Sequence, residues 1–452
     1  MSLLNTIAVG SSGLRAASES INIISQNTAN AATEGYSRQE LNVSTSGPYY
    51  SDGLWLGTGV GVDSITRITD VFVSERFTEA RGDAAGAEAS FRAHQLIEGS
   101  FSQENGISGK LTDFFDALDE LSADPSDTGH RLAAVAAADA FAETVNYGVD
   151  QLNDIQAGIS EQMMSNGDGI SLALDRIAHL NGLIAPGGAN DLADERDLLI
   201  NQLADTLGVV ADYSAEDGQA TVFLGGHALV MGDNAREVFI DSSGDTPVVE
   251  ISADGGRITV TDDVRGAVGG LIESWETAQM VKDEMDTFID TFAGAFNDQH
   301  QLGFDANGNN GIEFFSFSAS DPAATLSVSS QILADDGLMA LADEPSAQAG
   351  DRGNLDQLIS LQYDAVIDGE TPEGFMAKLY TTIGDAVNRA EVNYVTETAA
   401  LEDAESLRMS ISGVDLDEEA ASLLEWQAAY QAAARVVTTS NELLNELMNI
   451  VR

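Results

Sequence analysis

The chain has 452 residues, room for two or three domains, and 43% of them are hydrophobic, which is ordinary for a folded protein. Its 74 acidic residues stand against 20 basic ones, a formal net charge of −54, so nucleic acid and anionic membrane are expected not to be partners. There is no cysteine, which excludes disulfides, thiol nucleophiles and Cys-based metal sites, and no apolar run approaches the ~18 residues needed to span a bilayer.

At the N-terminus nothing basic precedes Arg15, and Ile7 to Val9 is too short for the apolar part of a signal peptide. If the protein leaves the cell, export without a cleaved leader is expected. Residues 3 to 31 place Leu3, Ile7, Gly10, Leu14, Ala17, Ile21, Ile24, Thr28 and Ala31 at alternating spacings of four and three. That is a narrow stripe on a helix, suited to pairing with other helices. The helix meets Asn30-Ala-Ala-Thr33-Glu-Gly35-Tyr36-Ser37-Arg38-Gln39, where Gly35 can take positive φ and Asn30 and Thr33 can bond freed backbone groups. A plain helix C-cap leading into a strand reads equally well from these residues.

Residues 40 to 70 alternate and carry Gly53, Gly57, Gly59 and Gly61, which predicts a hairpin or extended chain. Helical spacing returns from 71 to about 122, and a long helix is expected from His130, interrupted at Asn166-Gly-Asp-Gly169 and broken at 185 to 188. A further helix follows from Asp191 to Leu207. From 209 to 263 short β-like runs (221–224, 227–231, 238–240, 248–251, 257–260) predict a small β domain inserted into a helical protein. Helix resumes near Gly269, a glycine-rich loop at 303 to 311 and an irregular stretch follow, and a helical region from near Leu355 breaks at Gly369 to Pro372 and runs on from about Gly374 to Leu407.

The C-terminus repeats the opening device. Leu416, Leu423, Tyr430, Val437, Leu444 and Val451 lie seven apart, with Trp426, Ala433, Ser440 and Leu447 in a row beside them. At 1.5 Å per residue the two stripes are roughly 42 and 53 Å long. Matched stripes at opposite ends of a chain predict that the ends meet each other and their copies in neighbouring subunits. Docking of both ends on one globular domain is the plainer alternative.

Little here points to catalysis. Asp305-Ala-Asn307-Gly-Asn309 begins like a calcium loop, but position 6 is Asn310 and position 12 is Ser316. A structural turn anchored by Phe304, Phe314 and Phe315 is expected instead, with opportunistic calcium binding left open. The five histidines (His94, His130, His179, His227, His300) lack zinc spacing, no lysine-bearing phosphate loop or nucleophile elbow is present, and no pair of carboxylates stands out for glycoside hydrolysis. No enzyme, cofactor or metal is expected.

Ser12-Gly13-Leu14, the Asn30 to Gln39 segment and the C-terminal Ile411-Ser-Gly413-Val-Asp415-Leu-Asp-Glu-Glu419 together resemble the bacterial flagellar hook-associated protein 1 family, the hook–filament junction proteins. Asn190 to Asp197, Gly303 to Gly308 with Phe314-Phe315, and Asn354 to Gln362 agree in the right order. The resemblance implies an extracellular structural subunit of the flagellum, exported by the type III apparatus and assembled as a ring or helical zone. Its implied partners are the hook protein, the second junction protein adjoining the filament, and a cytoplasmic chaperone at the C-terminal region. Hook or rod proteins share the Asn-x-x-Thr-x-Gly-Tyr motif and are the nearest alternative. A secreted calcium-dependent adhesin and a peptidoglycan hydrolase of the flagellar base are alternatives of other classes, the adhesin lacking the tandem repeats it would need.

The expected fold is mainly α with a β-rich insertion, a nested axial protein whose terminal helices pair in a coiled-coil-like inner layer. Expected divisions are 1–45 plus 408–452 for assembly, 46–208 plus 264–407 for a helical middle, and 209–263 for an outer β domain. The residues expected to carry assembly are Leu3, Ile7, Leu14, Ile21, Ile24, Asn30, Thr33, Gly35, Tyr36, Arg38, Leu416, Leu423, Trp426, Tyr430, Val437, Leu444 and Leu447.

Overall fold

A computed structural model describes residues 3–51, 53–101, 106–184, 189–214, 218–242, 244, 246–253, 255–345 and 350–450. The expected break at 185–188 and the last stripe residue, Val451, lie outside the described residues. Of the described residues, 66% are helical, and the chain carries a small strand-rich insert.

Helix α1 (Leu3–Asn30) is followed by four strands, β1 (Gln39–Thr45), β2 (Tyr49–Ser51), β3 (Leu54–Leu56) and β4 (Val60–Arg67). β1 pairs antiparallel with β4, and β2 with β3 forms the tip beyond them. The long helices are α2 (Val71–Ser100), α3 (Ile107–Ala123), α4 (Thr128–Leu183) and α5 (Asn190–Leu207). The insert then runs β5 (Val210–Tyr213), β6 (Ala220–Leu224), β7 (His227–Met231), β8 (Asn234–Ala235), β9 (Val238–Asp241), β10 (Val248–Ala253) and β11 (Gly256–Thr259). Its strands form two antiparallel sheets, ordered β5-β6-β7-β8 and β11-β10-β9.

After it come α6 (Ala267–Leu302), β12 (Phe315–Ser316), α7 (Pro322–Thr325), β13 (Ser327–Val328), α8 (Ser330–Ala334), α9 (Gly353–Ser360), α10 (Pro372–Ser412) and α11 (Leu416–Ile450).

Two cores form the middle. One gathers α3, the first half of α4 and the later part of α6 around a phenylalanine cluster that includes Phe114, Phe115, Phe141, Phe292, Phe296, Phe314 and Phe315, all essentially inaccessible to solvent. The other packs Met163, Ile170, Leu174 and Ile177 of α4 and Ile200, Leu203 and Leu207 of α5 against Val222, Leu224, Val249 and Ile251 of the strands. The strands therefore share their core with helices, and the expected boundaries at 209 and 263 fall within one packed unit. The boundary at 45 likewise falls at the end of a ladder that β4 completes.

The expected interruption of α4 at 166–169 does not occur. Met163 and Ile170, seven apart, are both buried in the second core, while Gly167 and Gly169 face open space. Burial on one side of the helix outweighs about 1 kcal/mol of helix propensity lost at each glycine.

Candidate assembly surface

The chain crosses between its terminal helices and its middle at residues 27 to 39. Asn30 ends α1, Thr33 N–H donates to the Asn30 carbonyl at 2.9 Å, and Thr33 Oγ1 donates to Asn30 Oδ1 at 3.2 Å. Gly35 then takes φ +80°, a conformation that a β-carbon would strain. The turn aims Tyr36 back at α1, where its hydroxyl donates to Asn27 Oδ1 at 2.8 Å. The same Asn27 oxygen accepts from Gln39 N–H at 3.0 Å, and Asn27 Nδ2 donates to the Gln39 carbonyl at 3.0 Å. Asn27 is 1% exposed, so one buried amide with all of these bonds made fixes the angle between α1 and β1.

Arg38 reaches the other end of the chain. Its backbone N–H donates to the Ser412 carbonyl at 2.9 Å, its Nε to Glu419 Oε1 at 2.7 Å and its Nη1 to Glu418 Oε2 at 3.1 Å. Glu419 is buried, so its charge is balanced chiefly by this guanidinium. Asp415 accepts at 2.8 Å from Asp417 N–H and caps the start of α11. The segment is thus both a helix C-cap and the joint between the two ends.

A second set of contacts ties this joint to α5. Ser37 N–H donates to Asp194 Oδ2 at 3.4 Å and Gln39 Nε2 to Asp191 Oδ1 at 3.2 Å. Arg67 Nη2 donates to Asp197 Oδ2 at 2.6 Å. Arg67 Nε lies 2.8 Å from Asp194 Oδ1 but off the hydrogen-bonding direction, so that contact is Coulombic only. Burial pushes the Asp194 carboxyl up to about 6 against the pull of Arg67. Burial first, then Asp194, Asp191 and Glu419, push the Tyr36 hydroxyl up to about 12, which keeps it a neutral donor.

Helices α1 and α11 pack side by side in opposite directions. Gly10 faces Val437, and the other end of α1 faces Glu419, Ser422 and Trp426. A β-carbon on Gly10 would lie 2.7 Å from Val437 Cγ2, and one on Gly13 3.5 Å from Ala433 Cβ. At this end the contact is therefore close because α1 presents glycines there. α1 also buries a second face, Ser12, Ala16, Ser20, Ile23 and Asn27, toward β1 and β4. Ser12 Oγ accepts from Val60 N–H at 3.1 Å and donates to the Val9 carbonyl at 2.8 Å.

The expected large apolar rows are only partly covered in one copy. Ile24 is buried, whereas Leu3, Ile7, Leu14 and Ile21 are half-buried. On α11, Leu423, Trp426, Val437 and Leu444 are half-buried, and Leu416, Tyr430 and Leu447 are 54%, 43% and 50% exposed. Asn30, Gly35, Tyr36 and Arg38 are half-buried and Thr33 is exposed. Sequence reasoning missed Asn27, Asp194 and Glu419 as parts of the joint. A polar residue eight before the glycine of the Gly-Tyr turn was a signal for Asn27; Asp194 and Glu419 lie in stretches that carry the resemblance, but nothing local gave them this role.

The calcium-like loop is a closed turn. Asp305 Oδ1 accepts from Asn307 N–H and Asn309 N–H, both at 2.8 Å, and Oδ2 from Asn309 Nδ2 at 3.1 Å. Among the described residues no group of three or more His, Asp or Glu side chains is arranged to hold a metal ion, and no helix is long and apolar enough to cross a membrane.

Comparison with known proteins agrees with this architecture. The flagellar hook-associated protein FlgK helical domain matches residues 95–315, and the C-terminal family of flagellar basal body rod FlgEFG proteins matches 406–450. Flagellar hook-associated protein 1 of Salmonella typhimurium is 26% identical over 97% of this chain and 98% of its own length, and that of Bacillus subtilis 27% identical over 96% of each. The solved flagellar hook junction protein FlgK from Burkholderia pseudomallei shares the fold, with a TM-score of 0.67 at 15% identity, over 75% of this chain and all of that one.

Proposed function

Because the chain belongs to the flagellar hook-associated protein 1 family, we propose that it joins hook to filament by polymerising through its terminal helices. It is a structural subunit of the bacterial flagellum, and its family is not one of enzymes. The observation that carries the mode of assembly is the antiparallel α1–α11 pair, closed by Arg38 and Glu419, with Leu416, Tyr430 and Leu447 left bare on it. An apolar row that one copy does not cover is available to helices of other copies, and coiled-coil-like packing in an inner layer is the arrangement the heptad spacing favours. The working assembly unit takes in the β1–β4 ribbon as well as both helices, and the rest of the chain is carried outside it.

The partners follow the family. The hook protein adjoins one side of the zone and the second junction protein the other, a cytoplasmic chaperone holds the C-terminal region, and the type III apparatus exports the chain. A hook or rod role is the second reading, favoured by the rod-family match on 406–450.

The test is complementation of a strain lacking its own junction protein, with Leu423→Arg and Leu444→Arg as variants. Each would bury an unpaired charge in the packed layer. The parent chain should restore motility, and the variants should be exported and folded in their middle yet shed filament protein into the medium. Motility with either arginine variant would reject assembly through these rows. Restoration of a hook or rod deletion in place of a junction deletion would favour the second reading.

A further inference from the structure

Among the described residues, neither core of the middle contains one from the assembly unit of α1, β1 to β4 and α11. That unit buries its own small core, which includes Ala16, Ala17, Ile23 and Ile24. The chain passes between the two bodies twice, at 68–70 and at 413–415, and neither crossing is helical. α2 begins at its Asp70 cap, α10 ends against Gly413, and α11 starts from the Asp415 cap, so no helix runs through a crossing. Arg38 clasps both crossings through its backbone. Its N–H donates to the Ser412 carbonyl at 2.9 Å and its carbonyl accepts from Ile68 N–H at 2.8 Å.

The helix of the middle set against the assembly unit is α5, beside β4. What it offers there is polar. Asp191, Asp194 and Asp197, three apart, face Gln39 Nε2, Ser37 N–H and Arg67, and Asn190 Nδ2 donates to the Ile65 carbonyl at 3.2 Å. The apolar share is narrow: Gly35 lies over Leu198, where a β-carbon would be 3.3 Å from Leu198 Cβ. A thin polar interface holds two bodies loosely, whereas a shared apolar core would fix them. Short segments at the ends of elements are where a rotation between such bodies is absorbed.

We propose that the assembly unit swings on the middle as a rigid body about residues 68–70 and 413–415. Arg38 is the pivot, and the aspartate row of α5 is a latch that holds one orientation. The α1–α11 pair and the Arg38–Glu419 bond travel with the unit. Packing between terminal helices of different copies can therefore persist while the middle tilts. That use of the swing rests on reading the chain as a polymerising junction subunit; the swing itself belongs to a single chain.

The chain has no cysteine, so nitroxide labels can be placed two at a time in the full protein. Ser18→Cys with Gln202→Cys spans the two bodies, and Ser18→Cys with Gln427→Cys lies within the assembly unit; all three positions are exposed. Double electron–electron resonance should give a narrow distance distribution within the unit and a broader one across the bodies. Arg67→Ala, which removes the partner of Asp194 and Asp197, should widen the second distribution and leave the first unchanged. Gln39→Ala, which frees Asp191 only, should widen it less, and it decides the matter if Arg67→Ala does not fold. Equal widths within and across, in the parent and the variants, would overturn the swing and leave the junction reading standing. A broad distribution within the unit would overturn it as well, because the unit would not then move as one body. No widening in either variant would overturn the latch. Failure of the parent chain to restore motility would reject the junction reading without altering either distance.

Discussion

Glu419 Oε1 accepts from Arg38 Nε at 2.7 Å, an ion pair closed between residues 381 apart in the chain. It stands where α1 gives way to β1 and α10 to α11, so the two ends of the polypeptide are registered at one point. Removing the cation leaves a buried carboxylate with nothing to balance it. Arg38→Ala should cost ~1.5–3 kcal/mol, the worth of a hydrogen bond to a charged group, and loosen the first turns of α11. Thermal melting with hydrogen exchange over 416–430 would check this. Glu419→Gln, which removes the charge and keeps an acceptor, should be milder, and equal losses in the two variants would mean the charge is irrelevant.

The close approach at Gly10 predicts a rescue. Gly10→Ala puts a methyl group 2.7 Å from Val437 Cγ2 and should lower stability or assembly by pushing α1 off α11. Val437→Ala removes the obstructing methyls, so the double variant should be less impaired than Gly10→Ala alone. Additive losses in a double-mutant cycle would show that the two residues do not meet.

His300 makes the first core sensitive to acid. Its Nδ1–H donates to the Ile312 carbonyl at 2.6 Å and its Nε2 accepts from Ala340 N–H at 2.9 Å, so only the neutral ring satisfies both. Burial lowers the imidazole to about 4. The unfolded chain takes up the proton first, so stability should fall as pH drops from 6.5 toward 4, by on the order of 3 kcal/mol. His300→Gln should be less stable at neutral pH yet show a flatter decline across that window, as followed by urea melts at each pH. An unchanged slope would clear His300 of the effect.

Asp194 works in the other direction. With its folded value raised to about 6, the native state holds a proton that the unfolded chain has lost, so its contribution should decline as pH rises from 4 to 6. Asp194→Asn should remove that decline, and carboxyl NMR of the parent should show this side chain titrating far above the other aspartates. A midpoint near the ordinary aspartate value would mean Arg67 outweighs burial.

The overall charge predicts a salt effect. Bringing together copies of net charge −54 is opposed by repulsion that salt screens, with a Debye length of about 10 Å at 0.1 M and about 3 Å at 1 M. Polymerisation of the purified chain should strengthen from low to near-molar sodium chloride. Light scattering that weakens over that range would mean attractive ion pairs dominate the contacts.

Sequence spacing was enough to find α1 and α11 and to expect them to meet. It was not enough to say which faces touch. Ser12, Ala16 and Ser20 recur every four residues, but small and hydroxylated side chains carry no apolar signal, so the face against the ribbon was invisible until the ribbon was placed. The stripe read from Leu14 and Ile21 is half-covered because α1 serves two neighbours at once. Asp194 and Glu419 lie 157 and 381 positions from their partners in the joint, so although both fall in stretches that carry the resemblance, no local pattern says what they bind. The same holds for α4, where two glycines read as a break because the burial of Met163 and Ile170 belongs to tertiary structure.

Helix α4 runs 56 residues, about 84 Å at the standard rise, and supplies side chains to both cores of the middle. α6 crosses the same two cores in the opposite direction. Two struts that share both anchorages leave no hinge between them. Load arriving at the terminal helices as the flagellum turns is therefore handed to a middle that is braced along its length.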